Sequence, residues 1–461
     1  MPKGQEKKCS GYQDLNALRF FDQTEAVAAK AQARAAAAAQ QQAAEQAALA
    51  AAKRAAALPI IALPTSIHEQ ALSHTLKCYV GTDQSRGTLS YLPALLRTDP
   101  SDALQAAVRA IGLASISRIH HIPTLQRSAS EEYSLALRVT NSNLQHASSA
   151  KSDSTLATVL LLGLYEIIAC HGSDMLGGWL NHVQGAIKLL ELRGEEQLKS
   201  PAGMELFTIA MSNLFFRTKY HTSAGIASLS RLAIALRDSN SHAVETFYAI
   251  LIPFNNLSIA VKDAHTRDGF RGNIAPLITK ALRLDADLAS WAVSLEPAWR
   301  YTIVQHPPSH SHNRLPLTLH DTEYHTYPNI SAAALWNHYR YARIVLHEML
   351  LSLVSSVTND IPEEEMPPET QQILLQSSSL TQQLVKDVCA SVPFFFTSDE
   401  ARFTAVARLP WPLFVAADCT YASPYTRDWI VQVLDLLARS TGVQQARIMA
   451  DLLGPDGIGS L

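Results

Sequence analysis

From Ser66 onward, apolar residues recur at three- and four-residue spacings, and strict alternation of apolar with polar residues is rare. That restricts the chain to helices. A period of 3.6 puts i, i+3, i+4 and i+7 on one face, whereas a half-buried strand needs a period of two. The spacing predicts helices over about 67–80, 88–97, 102–118, 129–147, 153–171, 175–193, 202–216, 223–236, 242–263, 273–290, 331–356, 369–390, 399–415, 424–439 and 441–453. Ser66-Ile67-His68-Glu69 opens the series as a capping box, in which the Ser and Glu satisfy each other's backbone donors. No Asn-Gly or Asp-Gly hairpin interrupts the run. The expected fold class is all-α, a body of successive helical hairpins with an Ala-rich helix at its N-terminal side.

Two segments break the pattern. Residues 305–329 carry four prolines and five histidines, and 357–368 carry three prolines and a Glu run. Both read as loops. The histidines (His306, His310, His312, His320 and His325) have no cysteine nearby, so a surface loop is expected there rather than a metal site. Ahead of the body, 20 of residues 26–57 are Ala, with only Val27 and Leu49 as large apolar side chains. Ala favours helix, but one weak stripe buries little, so residues 26–64 read as an exposed Ala/Gln-rich helical linker. A dimerising coiled coil is the other reading, against which stands the missing heptad pattern.

Composition narrows the class. At 47% hydrophobic and 17% charged, the chain can fill a sizeable core. A net charge of −3 does not describe a polycation built for nucleic acid. Cys9, Cys78, Cys170, Cys389 and Cys419 are scattered and odd in number, which argues against a disulfide framework and for a reducing compartment. The most apolar run, Val159 to Ala169, contains Glu166 and is too short to span a bilayer, so no membrane partner is expected. Asn256-Leu257-Ser258 and Asn329-Ile330-Ser331 are chance matches to glycosylation sequons in such a chain.

Catalytic signatures fail one by one. GxSxG, a Walker loop and GxGxxG are missing. His347-Glu348 begins like a zinc-protease helix, but Leu351 stands where the second His is needed; His68-Glu69 fails likewise at Leu72. Asp285 and Asp287, two apart on a helix, point to different faces. No catalytic residue, metal ligand set or cofactor is expected.

Two helices carry more information. Trp179, His182, Val183, Ala186, Leu189, Leu190 and Arg193 make one continuous face, and Gly194 suits the left-handed end of that helix. A lone His182 on this apolar face reads as a hydrogen-bonded core residue, and small Gly185 and Ala186 would admit a neighbouring helix closely. The preceding run from Leu156 to Ile168 is its buried partner, and Glu166 within it needs a polar contact. On the second helix, Leu335, Tyr339, Ala342, Leu346, Met349 and Leu353 lie beside a polar stripe of Trp336, Arg340, Arg343 and His347. Arg stacks on Trp and pairs with carboxylates. The stripe reads as an ion-pair network at the core edge or, more sharply, as an anion-binding rim in which Arg340, Arg343 and His347 contact a small effector.

Taken in order, these segments resemble the fungal-specific regulatory domain found downstream of zinc binuclear cluster DNA-binding domains. Cys9-Ser10-Gly11-Tyr12 through Phe21-Asp22-Gln23-Thr24 is similar to the end of that cluster and the segment after it. Leu161-Leu162-Gly163-Leu164-Tyr165-Glu166 resembles the family's buried helix. Trp179, His182, Gly185-Ala186, Leu189-Leu190 and Arg193-Gly194 resemble its most recognisable motif. Asp287-Leu288, Trp291, Pro297, Trp299, then Trp336-Asn337, Tyr339-Arg340, Ala342-Arg343-Ile344, and finally Trp411-Pro412-Leu413-Phe414 resemble later ones.

The resemblance implies a cluster remnant at 1–25, the linker at 26–64 and a regulatory domain over 65–461. It also implies a nuclear regulator of transcription, controlling a metabolic or secondary-metabolite gene cluster. The departure is as informative. A Zn2Cys6 module needs closely spaced cysteines, and here only Cys9 matches, as the last ligand; Cys78 is far away. As it stands the chain builds no such cluster. Zinc and DNA contact are then expected only through an upstream segment of a longer protein or through a partner regulator. A homo- or heterodimer and a small-molecule effector are the other partners implied. The alternative outside this class is a helical scaffold or co-regulator that never touches DNA.

Overall fold

The structure is a computed structural model. It describes residues 66–454, apart from 83–84, 87–88, 170–176, most of 221–242, 267–273, 306–318, 359–360 and 397–407. The cluster remnant with Cys9, the Ala/Gln-rich segment, nearly all of the helix expected at 223–236, and His306, His310 and His312 lie outside the described residues.

Helix α1 (Ile67–Tyr79) begins on the expected capping box. Ser66 Oγ accepts from the Glu69 amide at 3.2 Å, and the Glu69 carboxylate accepts from the Ser66 amide at 2.9 Å. A two-residue hairpin, β1 (Gly81–Thr82) with β2 (Ser85–Arg86), leads to α2 (Leu92–Thr98). Helices α3 (Asp102–His120) and α4 (Pro123–Asn143) then form an antiparallel pair. Ser101 caps α3 by accepting from the Leu104 amide, and Pro123 opens α4 at a position that needs no amide donor. The face of α3 is built from small residues: Ala106, Ala107 and Ala110 are fully buried. They let α1 approach so closely that a β-carbon on Gly112 would stand 2.1 Å from the Ala71 carbonyl oxygen.

After the short α5 (Ala147–Ala150), α6 (Asp153–Ala169) runs through the middle of the body, touching α3, α4, α7 (Gly177–Arg193) and α8 (Pro201–Tyr220). Its near-continuous apolar sequence is explained by that position: Leu156, Leu161 and Ile168 are wholly shielded. The second centre is α11 (Ile330–Thr358), packed by α9 (Ala243–Thr266), α10 (Ala275–Ser294), α12 (Pro368–Ser391) and α13 (Pro410–Asp418). Helices α14 (Pro424–Thr441) and α15 (Gln444–Leu453) close the chain, with Gly442 in the left-handed conformation between them. One hydrophobic core joins both centres. Among the described residues α9 is long and apolar enough to cross a membrane, but Phe247, Ala249, Leu251 and Phe254 bury it inside this core.

The all-α expectation holds, with helix ends shifted by a few residues. α4 starts at Pro123 rather than 129, and the helix expected from 399 is described from Pro410. The loop expected at 305–329 is corrected. Its two ends pair as an antiparallel hairpin, β3 (Thr302–Gln305) with β4 (Glu323–Thr326). His325, expected on a surface loop, is buried in β4, and His320 packs on Trp429 and bonds Thr426. Four residues are too few to show alternation, and the strand is held by aromatic neighbours contributed from elsewhere in the chain.

Candidate functional site

The polar stripe of α11 is fully engaged by the protein itself. Arg340 is buried, donating to Asn337 Oδ1 and the Tyr327 hydroxyl, each at 2.8 Å, and to His325 Nδ1 at 3.1 Å. Its guanidinium also lies over the rings of Tyr301, Trp336 and Tyr327. An arginine only donates, so His325 Nδ1 must accept, and its proton sits on Nε2. Burial, then the Arg340 charge, pushes the His325 pKa down to about 3. One turn on, Arg343 forms a two-point ion pair with Asp285 of α10, and His347 donates from Nε2 to the same carboxylate while Nδ1 meets Ser377. Burial alone would raise the Asp285 pKa, but the His347 and Arg343 hydrogen bonds outweigh it and hold it at about 2. Asp285 is the anchor that binds α10 to α11.

The α6–α7 motif is a second network. Tyr133 of α4 donates to the Glu166 carboxylate and lies 3.1 Å from His182 Nε2. Burial pushes His182 down to about 4, so it stays neutral. Gly178 makes room here: a β-carbon on it would sit 2.8 Å from the Glu166 carboxyl carbon. Arg193 donates to the carbonyls of Lys151 and Ser152 and to the Asp153 carboxylate, and Gly194 adopts φ 65°. Gly185 faces Val159 with ordinary space to spare, 3.7 Å from an added β-carbon, so helix approach does not require it.

A cavity of about 860 Å³ lies between these networks, and sequence reasoning missed it. Each wall is one helix face at three- and four-residue spacing: Leu160, Leu164 and Ile167 from α6, Glu205, Ile209 and Ser212 from α8, Ala334, Leu335 and His338 from α11. Trp179, Tyr248 and Arg408 are among the other residues that line it. His338 is buried, 3.1 Å from the Tyr248 hydroxyl, and burial with the Arg408 charge lowers its pKa to about 3. Glu205 accepts from Ser90. A histidine and an arginine in apolar surroundings, His338 within the α11 core face and Arg408 before Leu409-Pro410-Trp411, were the signals available. Among the described residues no group of three or more His, Cys, Asp or Glu is placed to hold a metal.

The chain belongs to the family of the fungal specific transcription factor domain, whose profile matches residues 77–454. No curated protein and no solved structure matches the chain.

Proposed function

We propose that the chain regulates transcription without catalysis, its helical body holding one of two conformations whose balance a ligand or partner shifts by binding one of them better. The family membership over 77–454 is the observation that carries this reading. We infer that it acts in the nucleus on a metabolic or secondary-metabolite gene cluster. DNA contact comes through an upstream zinc-cluster segment or a partner regulator, and any zinc belongs to that segment. Dimerisation through the Ala/Gln-rich segment fits the same reading. For Arg340, Arg343 and His347, the full set of protein partners supports a role in holding the body together rather than in contacting an effector.

The test is tethering. The 461-residue chain is fused to a heterologous DNA-binding domain and read out on a reporter in fungal cells. Altered output is expected. Unchanged output in every host tried, with the fusion present in the nucleus, would remove the regulatory reading.

A further inference from the structure

We propose that the cavity between α6, α8, α9 and α11 binds a small, largely apolar molecule carrying one anionic group, held by Arg408, and one N–H or O–H donor, held by Glu205. This deepens the regulatory reading by giving the effector its chemistry, and it rests on that reading only for its consequence in transcription.

The volume, about 860 Å³, suits a small molecule. One wall is apolar, formed by Leu160, Leu164, Ile167 and Trp179. Arg408 differs from the arginines of the α11 network. It is half-buried, and it lines the cavity. Among the described residues no side chain hydrogen-bonds it and no carboxylate reaches ion-pair distance. Arg340 and Arg343 have their pKa raised by their partners, whereas burial lowers that of Arg408 against the weaker pull of Tyr248 and Glu205. A half-buried charge without a close counter-ion among the described residues gains from one that arrives.

Glu205 is near enough to act on Arg408 electrostatically but does not close on it, so opposite charges border one space held apart. A ligand bridging them completes both. A carboxylate or sulfonate matches the planar fork of arginine, and a donor matches the Glu205 carboxylate. Glu245, the other carboxylate on the wall, has an interaction of its own. Tyr248 and His338 satisfy each other.

The probes are anilinonaphthalene sulfonate, which has an apolar body, a sulfonate and an N–H, and N-phenylnaphthylamine, which lacks the sulfonate. Both are titrated by fluorescence into the purified full chain. Saturable binding of one sulfonate probe per chain is expected, about tenfold tighter than the neutral probe. Arg408→Gln should weaken the sulfonate by about tenfold to a hundredfold and leave the neutral probe within about twofold. Leu164→Trp, which narrows the cavity at its apolar wall, should weaken both. Equal affinity of the two probes for the wild-type chain, or a sulfonate affinity unchanged in Arg408→Gln, overturns the site. If circular dichroism shows Arg408→Gln unfolded, the wild-type comparison decides. Charge-selective binding with no effect of occupancy on the tethered reporter would uphold the site and remove its regulatory role. Loss of the charge preference would remove the site and leave the regulatory reading standing.

Discussion

Asp285 on α10 receives the guanidinium of Arg343 on α11 through two parallel bonds, 2.6 and 2.8 Å long. The same carboxylate takes His347 Nε2 at 3.1 Å, so one side chain docks two helices. Asp285→Ala strands two donors in a partly buried setting and should cost about 2–4 kcal/mol, read as a lower urea midpoint. Replacing Asp285 and Arg343 together by Leu and Met should cost less than Asp285→Ala alone, since only the His347 donor, not the Arg343 charge as well, is then left without its partner. Additive losses would contradict the pairing.

Acid should destabilise the body well above the carboxylate range. Folded His182, His325 and His338 hold off protonation to about 4, 3 and 3, against 6.5 in an unfolded chain. Between those limits the unfolded chain binds more protons. Stability is therefore full above pH 6.5 and falls as pH drops toward 4, by up to about 1.4 kcal/mol per pH unit for each histidine. Asp285, held at about 2, adds a separate loss below about pH 4. Urea unfolding at pH 7, 6 and 5 measures the slope, and a flat profile would refute it.

Two glycines should respond in opposite ways. Gly112→Ala drives a methyl group into the Ala71 backbone and should cost several kcal/mol or block folding. Gly185→Ala meets only ordinary contact with Val159 and should be neutral or stabilise α7 by about 0.5–1 kcal/mol. Thermal unfolding of the two variants side by side distinguishes them.

Tyr133→Phe removes the hydroxyl that serves Glu166 and borders His182. The half-buried carboxylate loses its donor, for a loss of about 1–3 kcal/mol. Adding Glu166→Leu should recover part of it; no recovery would mean that Glu166 is served elsewhere.

Much of this architecture could be read from residue order. The α6 run announced a central helix because every face of it is apolar, and Ser66 with Glu69 announced the start of α1. The stripe of Arg340, Arg343 and His347 was legible as charge beside a core. Its partners were not, because Asp285 lies 58 residues before Arg343, and Tyr327 comes from the short segment between β4 and α11. Strand β4 was hidden by its length. The cavity was hidden most completely, since Glu205, Tyr248, His338 and Arg408 come from four separate stretches and converge only when the helices pack.

Arg193 stands 40 residues after Asp153, yet its guanidinium reaches back to that carboxylate and to two carbonyls ahead of α6. The last residue of α7 is thereby fastened to the first of α6, and the hairpin becomes a ring whose fraying end is latched. Such a ring opens as one piece or not at all. In hydrogen exchange the first turn of α6 and the last of α7, ordinarily the fastest amides of any helix, should exchange at a common slow rate, and Arg193→Ala should release both together.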